Sequence, residues 1–326
     1  MSRLLSAFLL VALLVITWQT VRLALPEHER AARSQVKAAV ESAFPEQAEE
    51  ARARFGLKRL HAAPPNRSEV VLVHGLDDPG MVWMNLAPAL NAAGYGVSIL
   101  NYPNDQPIRE SARFFAETLR ALPQQGIGEI TIVAHSMGGL VSREMLSDIL
   151  PSCVAPVCRK PRVVRLIMVG TPNHGSYLAR FRGLSELREQ LSRLLDGEAG
   201  WLDSIFDGAG EAGLDLTPGS PFLEQLNSRA YPADTAMYVI AGIIAKDQAK
   251  ELANLIDDST GSESDSLVVP LAEGIGDGLV SLESATLPGV PLFRVSGNHL
   301  SIIRNVSETS ERTPPAIPIV LDLLRE

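Results

Sequence analysis

The chain has 326 residues, of which 46% are hydrophobic, and 38 acidic residues outnumber 29 lysines and arginines to give a net charge of -9. This apolar content supports a large buried core and excludes a disordered protein. Nucleic acid is excluded as a partner, because the chain contains no basic block that would neutralise a phosphate backbone.

Residues 1–24 are predicted to form an N-terminal transmembrane helix that anchors the protein to a membrane. Leu4–Val21 is an uninterrupted run of uncharged, mostly apolar residues between Arg3 and Arg22, and a run of this length can cross a bilayer. Trp18 lies near the far end of the run, where an aromatic ring suits the headgroup layer. The alternative is a cleaved signal peptide, although no convincing cleavage site follows the run.

Residues 25–64 are predicted to be a juxtamembrane spacer that precedes a folded domain at residues 65–326. The spacer is charged and compatible with a helix, is interrupted by Pro45, and runs into the adjacent Pro64 and Pro65. Two consecutive prolines stop a helix, because proline lacks the backbone N–H that an α-helix requires.

From Ser68 onward, short runs rich in β-branched residues alternate with longer stretches of helical periodicity. The predicted strands are Val70–Val73, Val97–Leu100, Ile130–Val133, Val163–Val169, Met237–Ala241 and Leu292–Val295. Helical spacing occurs in Met81–Ala93, Ile108–Leu122 and Leu140–Leu150. Apolar runs of this length suit strands buried on both faces, so the order predicts an α/β fold with a mostly parallel sheet and helices on both faces.

The two cysteines, Cys153 and Cys158, lie close together in the stretch CVAPVC between two predicted core elements. Such a pair can form a disulfide in an oxidising compartment, and two free thiols are the alternative. Metal binding is not expected, because no second cysteine or histidine pair lies nearby at ligand spacing.

The connection after the fourth predicted strand is too long for an ordinary crossover. About sixty residues separate Gly170 from Met237, and most connections in compact domains are far shorter. A series of leucines at steps of three and four residues gives one apolar helical face: Leu184, Leu187, Leu191, Leu194 and Leu195. We predict a helical cap insertion at about residues 177–235, and a structural helix packed on the body is the alternative.

A candidate nucleophile lies in Glu129–Met145, where a predicted buried strand runs into Ser136 and then into a helix. This segment resembles the nucleophile elbow of α/β-hydrolases, G-x-S-x-G, with Ala134 in place of the first glycine. The serine of such an elbow sits in a sharp, strained turn, so the residues two positions away must be small. The resemblance implies the α/β-hydrolase fold and Ser136 as the nucleophile.

A serine hydroxyl needs a base that removes its proton. In α/β-hydrolases the chain order is nucleophile, acid, histidine, and His299 fits this order on a loop just after the last predicted strand. The other histidines precede the domain, occupy other motifs or adjoin the nucleophile: His28, His61, His74, His174 and His135. We therefore predict His299 as the base.

The acid that orients the base is expected between Ser136 and His299. Asp277 lies between two glycines in GIGDGLVSLESA, which resembles the DG-[LTV]-V segment of bacterial lipases. The resemblance implies that Asp277 holds the imidazole tautomer and stabilises the imidazolium. Asp265 and Glu273 are the alternatives.

The segment VVLVHGLDD resembles the His-Gly oxyanion segment of lipases. The resemblance implies that the backbone N–H groups of Leu76 and Met137 form the oxyanion hole, while His74 supports the loop. Two further segments, Gly170–Ser176 and Leu216–Asn227, resemble this lipase group and are assigned structural roles. The resemblance extends from about Ser68 to Val306.

The sequence thus predicts a membrane-tethered serine carboxylic ester hydrolase of the lipase or esterase kind, which acts on a small-molecule or lipid ester through an acyl-enzyme. It requires no organic cofactor, and no metal is predicted. A thioesterase or an acyltransferase is the alternative within enzymes, and a catalytically silent binding module is the alternative from another class. The cysteine pair favours a periplasmic or otherwise extracytoplasmic domain, although the positive charges after the run at residues 4–21 favour the cytoplasm.

Overall fold

The computed structural model describes residues 35, 38–63, 68–76, 78, 80–149, 160–176, 212–244, 273–307 and 309–326. Several predictions lie outside these residues: the anchor at 1–24, Cys153 and Cys158, the leucine series from Leu184 to Leu195, and Asp265. No helix in the described part of the chain is long and apolar enough to cross a membrane.

The described residues contain a seven-stranded sheet with the order β1-β3-β2-β4-β5-β6-β7. The strands are β1 (Gly56–His61), β2 (Glu69–Val73), β3 (Gly96–Asn101), β4 (Glu129–His135), β5 (Arg162–Val169), β6 (Ala236–Ile243) and β7 (Leu292–Ser296). Neighbouring strands are parallel except β1, which pairs antiparallel with β3. All six predicted strands are confirmed, and the mostly parallel sheet is the one expected.

Helices cover both faces of the sheet. The helices with defined bounds are α1 (Pro45–Ala53), α2 (Leu86–Ala92), α3 (Ile108–Leu119), α4 (Met137–Glu144), α5 (Ala212–Asp215), α6 (Pro221–Ser228), α7 (Leu282–Ala285) and α8 (Ala316–Leu323), and the buried residues of α1 form a small cluster of their own. Short 3-10 turns lie at Met81–Trp83 and Pro123–Gln125, and a π-helical turn at Met145–Ile149 continues α4. The stretch predicted as one helix at Met81–Ala93 is divided, and α2 begins at Leu86 so that Pro88 falls in its first turn, where a missing N–H costs no hydrogen bond.

The hydrophobic core lies on the two faces of the sheet. In β2, Val71 and Val73 face one cluster, which includes the buried side of α3 and α4. Val70 and Leu72 face the opposite cluster, which includes α2 and α8. Every residue of β2 is buried, as expected for a central parallel strand, so the loop that follows β2 starts from a rigid base.

The folded domain begins earlier than the predicted boundary at residue 64. Strand β1, inside the predicted spacer, forms the edge of the sheet, and Arg59 there pairs with the buried carboxylate of Glu69 on β2. The predicted interruption at Pro45 is confirmed, because residues 38–43 are helical, Phe44 leaves the helix, and Pro45 begins α1 at a position where a proline is tolerated. The strand escaped prediction because an edge strand is only half-buried and carries charged residues, so it shows no continuous apolar run.

The predicted cap at residues 177–235 is also too long at its C-terminal end. Helices α5 and α6 and the turn between them contribute buried residues to the same core cluster as α3 and α4: Ala212, Leu216, Leu223 and Leu226. Ser220 caps α6 by accepting the N–H of Leu223, and Pro221 occupies the first helical position. Residues 212–235 are therefore part of the body, and only residues 177–211 remain for a cap.

Candidate active site

Ser136 occupies the sharp turn between β4 and α4. Its backbone dihedrals are φ 54° and ψ -131°, and no other non-glycine residue in the described part of the chain has a positive φ. A β-carbon at Gly138 would lie 2.3 Å from the carbonyl oxygen of Val73, and one at Gly139 would lie 2.1 Å from Oγ1 of Thr171. The turn is therefore strained and has no room for a side chain at position 138 or 139, which is the geometry expected of a nucleophile elbow.

His299 and Asp277 form a buried pair. Nδ1 of His299 lies 2.7 Å from Oδ2 of Asp277, and the two residues are 5% and 1% exposed. An ionised carboxylate only accepts hydrogen bonds, so Nδ1 carries the proton and Nε2 is left as the basic nitrogen. This is the tautomer that a general base for a serine hydroxyl requires.

The turn around Asp277 is built to present its carboxylate. Oδ1 accepts the backbone N–H groups of Leu279 at 3.0 Å and Val280 at 2.8 Å, so that Oδ2 remains for the histidine. Gly276 has a φ of 61°, and a β-carbon there would lie 1.9 Å from the carbonyl oxygen of Val280. Glu273, an alternative acid, instead forms an exposed ion pair with Arg294.

The strand ends bring these three residues to one edge of the sheet. The N–H of Ser136 donates to the carbonyl of Val169, at the end of β5. The next residue, Gly170, lies against the pair: a β-carbon there would be 3.1 Å from Oδ2 of Asp277 and 3.3 Å from Cε1 of His299. Ser136, Asp277 and His299 thus gather at the carboxyl ends of the parallel strands, where open α/β sheets place their ligand crevices.

The predicted oxyanion donors flank Ser136. Met137 is the first residue of α4, so its N–H has no acceptor within the helix and lies at the positive end of the helix dipole. Leu76 follows β2 on the loop that contains Gly75, and a β-carbon at Gly75 would lie only 2.7 Å from Cβ of Ser136. The backbone before Leu76 therefore passes directly beside the candidate nucleophile.

His74 fixes the peptide group that carries the Leu76 N–H. Nδ1 of His74 donates to the carbonyl oxygen of Gly75 at 2.8 Å, and this carbonyl and the Leu76 N–H point in opposite directions from one trans peptide. Burial lowers the pKa of His74, so the ring stays neutral. Tyr102 stacks on the ring at 4.7 Å and donates its hydroxyl to the carbonyl of His74 at 2.6 Å. These contacts are the ones through which His74 would support the loop, as the sequence predicts. Tyr102 is a further partner of His74 that the sequence did not indicate.

A second buried network that sequence reasoning missed ties the elbow helix to the two segments assigned structural roles. Arg143 on α4 is 4% exposed and donates to the side-chain oxygens of Asn173 at 3.0 Å and Asn227 at 2.9 Å. Asn173 in turn donates to the carbonyl of Ala285 on α7. Burial lowers the pKa of Arg143 to about 10, which still leaves it charged at neutral pH. The only feature of the sequence that could have indicated this network is the asparagine in each of the two segments, Asn173 in Gly170–Ser176 and Asn227 in Leu216–Asn227.

Within the described ranges, no group of three or more histidine, cysteine, aspartate or glutamate side chains is arranged to hold a metal ion.

Comparison with known proteins identifies the family. The family model described as "Alpha/beta hydrolase family" matches residues 70–296. Among solved structures, the chain is similar to the mature lipase BlEst2 of Bacillus licheniformis, with 22% identity and a TM-score of 0.52 over 81% of this chain and 94% of that one. It is also similar to the metagenomic carboxyl esterase MGS0156, with 20% identity and a TM-score of 0.51 over 78% of this chain and 71% of that one.

A third similar structure is the phospholipase PlaB of Legionella pneumophila, with 18% identity and a TM-score of 0.51 over 80% of this chain and 60% of that one. At these identities the likeness concerns the fold. No curated protein matches the sequence. Because the family model covers more than half of the residues, including the Ser136 turn and the Asp277 turn, this chain belongs to the alpha/beta hydrolase family.

Proposed function

We propose that the protein is a serine carboxylic ester hydrolase in which Ser136 is the nucleophile, His299 the general base and Asp277 the acid that orients the base. The observation that carries this proposal is the buried pair of His299 and Asp277 at the same sheet edge as the strained turn of Ser136. Strained backbone and a buried, hydrogen-bonded histidine–carboxylate pair both cost stability, and active sites are where proteins retain such features.

The chemistry follows from the tautomer. Oγ of Ser136 attacks the acyl carbonyl carbon while Nε2 of His299 takes its proton, and the carboxylate of Asp277 stabilises the resulting imidazolium. The N–H groups of Leu76 and Met137 stabilise the oxyanion of the tetrahedral intermediate. The imidazolium then protonates the leaving alcohol, which leaves the acyl group on Ser136. Water, activated by His299, releases the acid and restores the hydroxyl.

A substrate screen with the purified protein tests the ester preference. We expect p-nitrophenyl esters to be hydrolysed, and comparison of butyrate with palmitate measures the preferred acyl length. Faster turnover of acyl thioesters than of matched oxygen esters would move the assignment to a thioesterase. Transfer of the acyl group to an added alcohol in preference to water would move it to an acyltransferase. A protein without turnover on any acyl substrate and without fluorophosphonate labelling would be the silent binding module.

We further propose that residues 1–24 tether the enzyme to a membrane and that the folded domain is periplasmic or otherwise extracytoplasmic. Two features of the sequence support this: the run of uncharged residues at 4–21, and the closely spaced Cys153 and Cys158, which an oxidising compartment can lock. Protease added to spheroplasts should degrade the domain; protection of the domain would place it in the cytoplasm.

Residues 177–211 are proposed to cap the site, which would make the substrate a lipid-like ester. The described residues on both sides support this position, since the N–H of Ser176 donates to the carbonyl of Leu216 at 2.9 Å and the insertion thus leaves and returns at the carboxyl edge. Replacing Leu187 and Leu191 together with serine should reduce turnover of long-chain esters selectively. Equal loss on short and long chains, together with lower thermal stability, would indicate a structural helix.

A further inference from the structure

His135 is a buried titratable residue for which the proposed mechanism has no role. It is the last residue of β4 and directly precedes Ser136, and its side chain is 2% exposed. Side chains of successive strand residues alternate between the two faces, so His135 is directed away from the core cluster that receives Ala134. Its ring lies instead against the base.

The contact between His135 and His299 has a defined donor. Nε2 of His135 lies 3.0 Å from the backbone carbonyl oxygen of His299, and a carbonyl oxygen only accepts, so this nitrogen carries the proton. The two rings are 4.7 Å apart at 48°. On another side, the indole of Trp83 meets the His135 ring edge-to-face at 6.5 Å. The His135 ring is therefore held in one orientation.

The base needs such support because it lies on a loop after β7. Asp277 holds this loop from the acid side, by accepting the backbone N–H of His299 at 2.9 Å in addition to the imidazole N–H. These contacts set the histidine relative to the acid. They do not set it relative to Ser136, which lies on a different strand end.

We propose that His135 is a positioning residue, which fixes the loop that carries the base His299 relative to the nucleophile Ser136. Because His135 is covalently adjacent to Ser136, its hydrogen bond to the carbonyl of His299 links the two reacting residues through a single side chain. Reacting groups lose about 10²-fold in rate when they are displaced by about 1 Å, so this link acts on the chemical step. The inference rests on the proposed function of Ser136 and His299.

The charge state of His135 is compatible with this role. Burial is the main cause that lowers its pKa well below the ordinary value, and the neighbouring His299, Arg304 and His74 lower it further. The neutral ring supplies a donor without placing a second cation beside the imidazolium that His299 becomes during turnover. An uncharged amide side chain of matching length should therefore be able to take over the hydrogen bond that the His135 imidazole donates.

The test compares three variants of the full chain. His135→Gln places an amide N–H close to the position of Nε2, His135→Asn carries the same amide too short to reach, and His135→Phe keeps a ring without the donor. We measure kcat and KM on a soluble short-chain ester, the rate of fluorophosphonate labelling, and Tm. We expect His135→Asn and His135→Phe to lose about 10- to 100-fold in kcat and in labelling rate with KM changed less than about 3-fold, and His135→Gln to recover most of that loss.

Other outcomes would overturn the inference. If His135→Asn and His135→Phe lower Tm but leave kcat and labelling unchanged, the residue serves packing only. If His135→Gln loses as much kcat as His135→Asn, the hydrogen bond is not the cause. The comparison of Gln with Asn decides the question even if the Phe variant does not fold. Labelling of the wild-type protein is scored separately, because its absence would contradict the proposed function and not the role of His135.

Discussion

Asp277 holds His299 by two hydrogen bonds, one from its side chain and one from its main chain. Oδ2 accepts the imidazole N–H at 2.7 Å, and the backbone carbonyl accepts the backbone N–H at 2.9 Å. The main-chain bond joins the two loops whatever the side chain at position 277. The side-chain bond selects the tautomer. The two contributions can therefore be separated by a substitution that changes the carboxylate alone.

We predict that Asp277→Asn lowers kcat by about 10² to 10⁴ while the protein stays folded, because an amide in place of Oδ2 no longer enforces the Nδ1–H tautomer. Steady-state kinetics on a short-chain ester and a thermal melt measure the two effects. Glu273→Gln is the matched control and should keep wild-type kcat, since Glu273 pairs with Arg294 at the surface. A normal rate in Asp277→Asn would remove Asp277 from the mechanism.

Gly75→Ala tests whether the loop after β2 lies against the nucleophile. The added β-carbon would be 2.7 Å from Cβ of Ser136, so the loop or the elbow must shift, and we expect kcat to fall about 10- to 100-fold. Gly128→Ala provides the control, because a β-carbon there meets no atom within 4 Å. Equal activity of both variants and the wild type would mean that the loop is free to move away from Ser136.

The buried carboxylate of Glu144 provides a stability prediction away from the site. It accepts from Arg109 at 2.8 Å and from Arg229 at 2.6 Å, and its side chain has no exposed surface. Glu144→Gln removes the charge that both arginines contact, although Arg229 keeps Asp148 at 3.9 Å, and should lower the free energy of unfolding by about 1.5–3 kcal/mol. Glu129→Gln, which breaks an exposed pair with Arg162, should cost at most about 1 kcal/mol. Urea denaturation measures both, and similar losses in the two variants would contradict this account.

Acid should destabilise the fold through its buried histidines. Burial lowers the pKa of His74 and of His135 below 6.5, so an unfolded chain takes up protons first as the pH falls. The unfolded state then binds more protons, and the free energy of unfolding declines below about pH 6.5 by up to about 1.4 kcal/mol per pH unit for each such histidine.

Urea denaturation between about pH 7.5 and pH 5 measures this decline. His135→Gln should make it shallower, because the variant lacks a histidine that the unfolded chain protonates before the folded one does. An identical pH dependence in wild type and His135→Gln would show that His135 is protonated in the folded state as readily as in the unfolded chain.

The sequence anticipated the parts of the structure that depend on local patterns. Strands β2 to β6 are largely buried and appear as apolar runs, and the Ser136 turn and the Asp277 turn require glycines at fixed offsets. Strand β1 escaped prediction because only its pairing with β3 makes it a strand. The contacts of His135 and Tyr102 escaped as well, because they depend on which distant loops meet at the sheet edge. Likewise, the sequence could not assign helices α5 and α6 to the body of the domain, because this assignment depends on their packing against the core.

The most direct test of the central claim is fluorophosphonate labelling and ester hydrolysis by Ser136→Ala beside the wild-type protein. Alanine fits the elbow and removes only the hydroxyl, so the variant should fold with an unchanged circular dichroism spectrum. We predict that the wild type is labelled and hydrolyses short-chain esters, and that Ser136→Ala is neither labelled nor active above the uncatalysed rate. Undiminished hydrolysis or labelling in the folded variant would contradict the assignment of Ser136 as the nucleophile.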